Sequence, residues 1–514
     1  MIPALALAII YLIWAPPSAD LAAQTFRSDL FDAHGFEVWS NAWYGGFHLP
    51  GYSLLYPPLA GLLGARLVGA VAVVAAAWIF ERLVRPRYGD RATLAIWLFG
   101  AGLATNLFTG RLTFALGIAV GLGALLALDR GRRGWAGVLA ALAAAASPVA
   151  ALFTAFAGGV LFVCGRRRDG LILAVPAVAA IGAIVLLFPS GGVHPFLSDT
   201  FVLISAATLI LALVLPAEER TLRIGALLYA AMCLTIFLVD SPIGGNATRL
   251  GALAAAPLLA LGAWGRRPAW LVAAALLPLL YWQWVAPVRD LADAVGEPSV
   301  ERAYYEPLLA ELDDRASAAG GAGSFRVHVP ATRNRWEAVH VAERYPLARG
   351  WLRQLESDDF DLFQDGKLTA DAYRAWLDER AVAFIAVSAG AKADYLAEDE
   401  IDLIHSGVPF LREVWSNGDW ELYAVDDPAP LATVPARLSE TGFELEVSAP
   451  GEISVAVGFS PYYRVVSGDA CVREAADWTV VEARTRGTIR VEADLSPAGA
   501  IRAATGANEV CTDD

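Results

Sequence analysis

The stretch from Thr93 to Leu128, TLAIWLFGAGLATNLFTGRLTFALGIAVGLGALLAL, decides the fold. It holds two apolar runs, Thr93 to Phe108 and Leu112 to Leu128, separated only by a Thr-Gly-Arg sequence at 109–111. A helix of about 20 apolar residues crosses the hydrocarbon of a bilayer, and shorter helices suffice when Arg or aromatic residues flank them. The stretch therefore predicts two membrane-spanning helices joined by a tight turn.

The same pattern recurs on both sides of this pair and predicts about eleven spans. The other segments are Ile2 to Trp14, Leu54 to Phe80, Trp135 to Cys164, Leu171 to Phe188, Phe201 to Leu215, Ile224 to Val239, Leu250 to Trp264 and Trp270 to Val285. Since Trp135 to Cys164 is too long for one span and contains Ser147-Pro148, we expect two short helices there. A secretory signal peptide is the competing interpretation of Ile2 to Trp14, but the absence of the usual cleavage site favours a retained span.

Charge divides the chain into two parts. Residues 1–286 contain 18 Arg, no Lys and 12 acidic residues, whereas residues 287–514 contain 21 basic and 41 acidic residues. Alternate loops of the first part collect the arginines, as at Arg82 to Arg91, Arg130 to Arg133 and Arg166 to Arg168. Because short cytoplasmic loops are enriched in basic residues, this pattern predicts a cytoplasmic N-terminus and an extracytoplasmic C-terminal part. The acidic balance makes nucleic acid an improbable partner.

The C-terminal part reads as two domains. Strand-like runs at 325–330, 382–387 and 420–425, with a helical run at 370–380, predict an α/β domain over 287–430. Short β-rich runs after Asp427, separated by Gly, Pro and Ser, predict a β-sandwich over 431–514. An oxidising compartment allows a disulfide between Cys471 and Cys511, which we predict. The fold class is thus a polytopic α-helical membrane protein, with a transmembrane domain over 1–286 and an extracytoplasmic α/β plus β-sandwich region.

The first outer loop, between Asp20 and Pro58, combines acids with aromatic residues. The acids are Asp29, Asp32 and Glu37, and the residues around them include Trp43, Tyr44 and His48. Carboxylates at the membrane surface can deprotonate a hydroxyl or hold a divalent ion, and aromatic rings can stack on sugars. An interfacial aromatic belt with solvated acids is the alternative, and composition alone favours it slightly.

Four short motifs, in order, resemble those of the type C (GT-C) glycosyltransferases, membrane enzymes that use polyprenyl-phosphate sugars. They are Arg27-Ser28-Asp29-Leu30, Tyr56-Pro57-Pro58-Leu59, the turn Asn106-Leu107-Phe108-Thr109-Gly110-Arg111, and Ser147-Pro148 between short helices. The resemblance covers about residues 1–286. Two features depart from the family pattern, because the loop has no adjacent pair of acids and Arg111 stands where Gln is more usual.

The resemblance implies an inverting transfer of a sugar from a polyprenyl phosphate to an envelope glycan or glycolipid outside the cytoplasm of a bacterium. Asp29 would be the base, with Asp32 or Glu37 as a helper, and a divalent cation, Mg²⁺ or Mn²⁺, stays open. The donor contacts would be Arg111, Arg249, His48, Trp43, Tyr44 and Arg66. For Arg66, which falls inside a predicted span, snorkelling or pairing with another span is an equally good interpretation.

Two other classes of function fit part of the sequence. Many spans with interrupted helices suit a transporter or flippase, although acids at mid-span, which ion-coupled carriers usually need, are absent from the predicted spans. A non-catalytic membrane protein whose tail binds envelope polymers is the third reading. Nucleotide-binding glycine loops, zinc-ligand spacings and hydrolase nucleophile motifs are not evident in the sequence.

Overall fold

The computed structural model describes residues 1–189, 191–356, 362–363, 367–476, 478–505 and 511. They form two compact units. The helical unit comprises Met1–Gln24, Gly51–Leu186 and Gly191–Val295, and the mixed unit comprises Thr25–Pro50, Leu187–Ser190 and Gly296–Asp514. Most of the first outer loop thus belongs to the same unit as the C-terminal part of the chain.

The helices of the chain up to Ala294 coincide with the predicted apolar segments, except that α2 lies in the predicted first outer loop. They are α1 (Ile2–Trp14), α2 (Ala19–His34, whose second half lies in the mixed unit), α3 (Tyr56–Leu63), α4 (Ala65–Tyr88), α5 (Ala92–Phe108), α6 (Leu112–Asp129), α7 (Arg133–Ala146), α8 (Pro148–Val163), α9 (Arg167–Leu187), α10 (Ser198–Val214), α11 (Arg220–Leu238), α12 (Thr248–Ala263) and α13 (Ala269–Ala294). As predicted, Ser147 and Pro148 separate two short helices: Ser147 Oγ accepts the Ala150 amide at 3.5 Å, and Pro148 is the first residue of α8.

Within the described residues, five helical stretches are long and apolar enough to cross a membrane. They are Ala65–Phe108, Leu112–Asp129, Arg167–Leu187, Arg220–Leu238 and Ala269–Ala294. The number rises to six if α1 and α2, bent by 71° to each other, are taken as one span. The chain is therefore a multi-pass membrane protein, but eleven spans are not confirmed.

Length accounts for the difference in the number of spans. Helices such as α7, α8 and α10 have only 14, 16 and 17 residues, and α4 and α5 form one stretch of 44 residues where two spans were predicted. Gly64, with φ +86°, divides the predicted span Leu54 to Phe80 into α3 and α4 without changing the number of spans. Local hydropathy predicts where a helix forms, whereas its length depends on such breaks. The orientation of the chain across the membrane stays a prediction.

The mixed unit begins with the hairpin of β1 (Trp39–Ser40) and β2 (Phe47–His48). Its α/β part contains α14 (Arg302–Ala319), β3 (Arg326–His328), α15 (Glu337–His340), α16 (Ala370–Glu379), β4 (Val382–Ser388), α17 (Glu398–His405), β5 (Leu411–Ser416) and β6 (Trp420–Val425). The sheet order is β3-β4-β6-β5, with β3 parallel to β4 and the other pairs antiparallel. The three predicted strands and the predicted helix are present, and β5 is an additional edge strand.

The remainder of the mixed unit is two antiparallel sheets followed by a short helix. The elements are β7 (Ala436–Leu438), β8 (Gly442–Val447), β9 (Gly451–Val455), β10 (Tyr463–Ser467), β11 (Ala470–Ala475), β12 (Trp478–Ala483), β13 (Gly487–Ala493) and α18 (Pro497–Thr505). The sheets have the orders β10-β13-β8-β7 and β11-β12-β9. Side chains alternate between buried and exposed along β8, as in a sheet with one face in a core. A disulfide joins Cys471 to Cys511.

Candidate functional site

The turn between α5 and α6 packs closely against the beginning of α2. Gly110 has φ +79°, and a Cβ atom there would lie 2.2 Å from the backbone nitrogen of Leu21. Only glycine allows so close an approach of two backbones in this conformation. The next residue, Arg111, precedes the first turn of α6. Gly110 therefore makes room for the beginning of α2 directly beside Arg111.

Arg111 is held by a carboxylate from α2. Its Nε donates to Asp20 Oδ2 at 2.9 Å, and both side chains keep part of their surface exposed, 29% for Arg111 and 22% for Asp20. Nearby, Gln24 Nε2, one helical turn after Asp20, donates to the hydroxyl of Tyr52 at 3.2 Å. Asp290 of α13 also interacts electrostatically with Arg111. Elements distant in sequence thus converge on one guanidinium.

Arg249 lies in the same group of side chains. It is the second residue of α12, its guanidinium lies over the ring of Phe114 at 5.7 Å from the centroid, and it interacts electrostatically with Arg111 and Asp20. Among the residues that the structure describes, Arg249 forms no hydrogen bond or ion pair. We call Asp20, Tyr52, Arg111 and Arg249 the arginine cluster. It combines one paired and one unpaired guanidinium.

The glycines before α12 serve the packing of a neighbouring loop. A Cβ atom on Gly244 would lie 1.7 Å from the carbonyl oxygen of His194, and the Gly245 amide donates to the carbonyl of Pro195 at 3.2 Å. Their small size is therefore explained by the close approach of the 194–195 backbone. This packing fixes the turn that begins α12 and so positions Arg249.

Arg66 contacts α1 and the residues that follow it. It is the second residue of α4, Nη1 donates to the carbonyl of Pro16 at 2.9 Å, and its guanidinium lies over the ring of Tyr11 at 5.5 Å from the centroid. Because α4 begins only at Ala65, Arg66 is at a helix end and not in the middle of a long span. Of the two interpretations of Arg66, the structure supports the pairing with another helix, here α1 and the residues after it.

Trp43, Tyr44 and His48 are buried inside the mixed unit. Trp43 is 0% exposed, donates from Nε1 to the carbonyl of Ala338 at 3.0 Å and stacks on Phe47. Tyr44 donates to Glu356 Oε1 at 3.3 Å. These contacts fasten the first outer loop to the C-terminal part of the mixed unit, and they leave none of the aromatic faces of Trp43 open for a sugar.

His48 shares this structural role. Its Nδ1 contacts the carbonyl oxygen of Pro189 at 2.7 Å and its Nε2 contacts Ser460 Oγ at 3.1 Å. Burial lowers the pKa of His48 to about 4, so that the ring is neutral at physiological pH. A buried, neutral histidine with both nitrogens engaged is unsuited to binding a phosphate.

The predicted acids also lie in the mixed unit. Asp29 and Asp32 are exposed on α2, and Glu37 is half-buried just after it. Desolvation by its surroundings, together with the carboxylates of Glu343 and Asp32, raises the pKa of Asp29, while Arg302 opposes the shift. Burial likewise raises the pKa of Glu37, with Glu440 adding to the effect. Raised pKa values make both carboxylates stronger bases than free ones.

Known proteins show little similarity to this chain. No family model and no curated protein matches the chain. Among solved structures, the chain is similar to ArnT from Cupriavidus metallidurans in the apo state, at 13% sequence identity and a TM-score of 0.26. The alignment covers 79% of this chain and 93% of ArnT. At so low a TM-score it carries neither site residues nor an activity to this chain.

The structure brings together Arg111 and Arg249, which the sequence proposed as donor contacts, and places Asp29, Asp32 and Glu37 in the other unit. Asp20 and Tyr52 are members of the arginine cluster that sequence reasoning missed as site residues. The available signal was Gly110: a glycine beside Arg111 in a tight turn marks a close approach of another segment. Nothing in the sequence indicates which segment approaches.

Proposed function

We propose that the protein is an inverting membrane glycosyltransferase of the GT-C type. It takes a sugar from a polyprenyl-phosphate donor and passes it to an envelope glycan or glycolipid on the extracytoplasmic face of a bacterial plasma membrane. The resemblance of its motifs to that superfamily supports the reaction class. The arginine cluster supports the donor class.

The observation that carries the proposal is the unpaired guanidinium of Arg249 beside Arg111. A guanidinium presents planar N–H donors that match two oxygens of a phosphate, and such charge-assisted hydrogen bonds are about twice as strong as neutral ones. Arg111 has one carboxylate partner at 2.9 Å, whereas the guanidinium of Arg249 lies over the ring of Phe114 and has no ion pair among the described residues. A phosphate between the two would pair Arg249 and add a second anion to Arg111.

Asp20 and Asp29 are assigned different roles. Asp20 already accepts a hydrogen bond from Arg111 Nε at 2.9 Å, so Asp20 is assigned to hold Arg111. Asp29 has no hydrogen bond or ion pair among the described residues, and its pKa is raised. Asp29 is therefore the proposed base that takes the proton from the acceptor hydroxyl, with Asp32 or Glu37 as its helper.

The test is sugar transfer by the purified full-length protein in proteoliposomes, with a synthetic polyprenyl-phosphate sugar as donor. Asp29→Asn should reduce transfer by at least about 10²-fold, because the general base is lost. Asp240→Asn, which changes an exposed aspartate with no partner among the described residues, is the matched control. Transfer by Asp29→Asn at the wild-type rate would reject Asp29 as the base.

The same vesicles separate the alternative functions. A transporter or flippase would move the labelled lipid or sugar across the bilayer without forming a glycosidic bond. A polymer-binding protein would do neither. Activity with and without EDTA, followed by addition of Mg²⁺ or Mn²⁺, determines whether a divalent cation takes part.

A further inference from the structure

Three connections between helices meet at one end of the helical unit. They are the turn between α4 and α5, residues 215–219 between α10 and α11, and residues 264–268 between α12 and α13. Glu219, whose side chain is 4% exposed, accepts from Arg266 Nη1 at 2.6 Å and from the Tyr88 hydroxyl at 2.8 Å. Arg87 Nη2 lies 3.9 Å from the same carboxylate. One buried carboxylate thus ties the three connections together.

A groove of about 520 Å³ opens beside this junction, lined by Pro216, Ala217, Glu218, Arg266 and Arg267. Arg267 donates from Nε to the carbonyl of Val214 at 3.2 Å and has no carboxylate partner among the described residues. The groove is therefore polar and has at least one guanidinium whose charge is not neutralised by an ion pair.

Two further arginines lie next to residues of the junction. Arg220 directly follows Glu219, and Arg91 lies against the connection between α12 and α13, 3.9 Å from where a Cβ atom on Gly265 would be. In the described part of the chain, neither Arg91 nor Arg220 forms a hydrogen bond or ion pair. Glu219 is already shared between Arg266 and Arg87, and Glu218 of the groove lining offsets one further charge, so Arg91, Arg220 and Arg267 together leave the junction with an excess of positive charge.

Two exposed tryptophans indicate that the groove lies at the depth of the lipid headgroups. Trp264 and Trp270 bracket the two arginines in sequence and are 40% and 72% exposed. Exposed tryptophans at the ends of apolar helices lie at the boundary between hydrocarbon and water. Basic pockets between helix ends at this depth are suited to phosphate-bearing headgroups.

From these observations, we propose that this groove binds the phosphate of an anionic phospholipid headgroup, with Arg266 and Arg267 of its lining as contacts and with Arg91, beside Gly265, adding positive charge. The proposal is independent of the glycosyltransferase assignment. Basic loops are attracted to anionic membranes in general, whereas this proposal requires the groove that Arg266 and Arg267 line. The loop between α6 and α7 gives the contrast: among the described residues the side chains of Arg130 and Arg132 also have no hydrogen bond or ion pair, but they belong to a different connection and do not line the groove.

The experiment measures retention of phosphatidylglycerol by the full-length protein, purified from vesicles of phosphatidylcholine and phosphatidylglycerol and examined by native mass spectrometry. The variant Arg91→Gln/Arg267→Gln leaves Glu219 and Arg266 in place, so the junction is kept. The matched control Arg130→Gln/Arg132→Gln removes the same charge elsewhere. We expect the first variant to retain on the order of tenfold less phosphatidylglycerol and the control to match the wild type.

Three results would overturn the proposal. They are equal loss of lipid in the two double variants, no phosphatidylglycerol retained by the wild type, and complete displacement of the lipid by inorganic phosphate at equal concentration. The last would mean that the groove binds free phosphate. Retention that is lost only in Arg91→Gln/Arg267→Gln, and that inorganic phosphate does not reverse, would establish the lipid site.

Discussion

The two units of this protein differ in whether arginines with low exposure have carboxylate partners. In the mixed unit, Arg335 and Arg349 are nearly inaccessible and both pair with Glu356, Arg335 at 3.0 Å and Arg349 at 3.3 Å. In the helical unit, Arg249 is partly buried and has no such partner among the described residues. A charge taken out of water is costly unless it is paired. The arginine pairs with Glu356 thus stabilise the fold of the mixed unit, whereas Arg249 of the helical unit is the residue that the proposed function assigns to the donor phosphate.

The strongest test of this comparison removes the shared carboxylate of the mixed unit. Glu356→Ala leaves two buried guanidiniums without their common partner and should cost about 3–5 kcal/mol of unfolding free energy. It should also free Tyr44, which donates to Glu356, and so loosen the first outer loop. Urea unfolding of the full-length protein, followed by tryptophan fluorescence, measures the loss. Glu306→Ala, at an exposed position, is the control and should change stability by less than about 0.5 kcal/mol.

Acid should act on the same network. Burial on its own raises the pKa of Glu356, but Arg335 and Arg349 outweigh burial and lower that pKa to about 2. Its contribution to stability is therefore present above the unfolded pKa and disappears as the pH falls toward 2. If Glu356→Ala and Glu306→Ala unfold at the same urea concentration, the network is not a source of stability.

A second acid of the mixed unit should respond to pH in the opposite direction. Burial raises the pKa of Glu337 to about 7, against the lowering effects of the Thr332 hydroxyl, which donates at 2.6 Å, and of Arg335. A raised carboxyl pKa means that stability is greatest below the unfolded value and falls as the pH rises through about 7. The loss should approach about 3 kcal/mol, at 1.36 kcal/mol per pKa unit.

Glu337→Gln removes this titration and should flatten the dependence of the unfolding free energy on pH between about 5 and 8. Unfolding curves of wild type, Glu337→Gln and Glu306→Gln at several pH values measure the effect. A wild-type dependence that survives in Glu337→Gln would mean that another group titrates.

The close approach at Gly110 is the next test, and it acts on the helical unit. Gly110→Ala places a Cβ atom 2.2 Å from the Leu21 nitrogen and also costs about 1–2 kcal/mol for the left-handed backbone. We expect Asp20 to move away from Arg111 and donor binding to weaken. Gly131→Ala has nearly the same φ, +73°, but open space around its Cβ position, so it measures the backbone cost alone. Equal effects of the two variants would show that the approach of α2 is unimportant for the cluster.

Much of the fold follows from local sequence. Each predicted apolar segment is helical, and the Ser147-Pro148 break is where an N-cap and a proline place it. Strands β3, β4 and β6 were predictable from β-branched and aromatic runs, whereas β5 (LREVWS) was not, because its polar and partly exposed residues lack the pattern of a buried strand. Helix lengths were overestimated where a single glycine, Gly64, ends a helix inside an apolar run.

The site was predictable only in part, because its geometry is set by contacts between distant segments. Arginines at helix ends outside the basic loops are few, which singled out Arg111 and Arg249. Trp43 and His48 could not be separated from surface aromatics, because an interfacial ring and a core ring look alike in sequence. Their burial comes from partners such as Ala338 and Ser460, some 295 and 412 residues away along the chain.

The most direct test of the central claim, that the arginine cluster holds the donor phosphate, is the binding of a polyprenyl phosphate to the full-length protein in nanodiscs. Arg249→Gln removes a guanidinium that supports no ion pair of the fold, so the helical unit should stay intact, and Arg168→Gln, at an exposed arginine without a partner in the described residues, is the control. We predict binding weaker by about tenfold or more for Arg249→Gln and unchanged binding for Arg168→Gln. Equal affinities of Arg249→Gln and wild type would contradict the account.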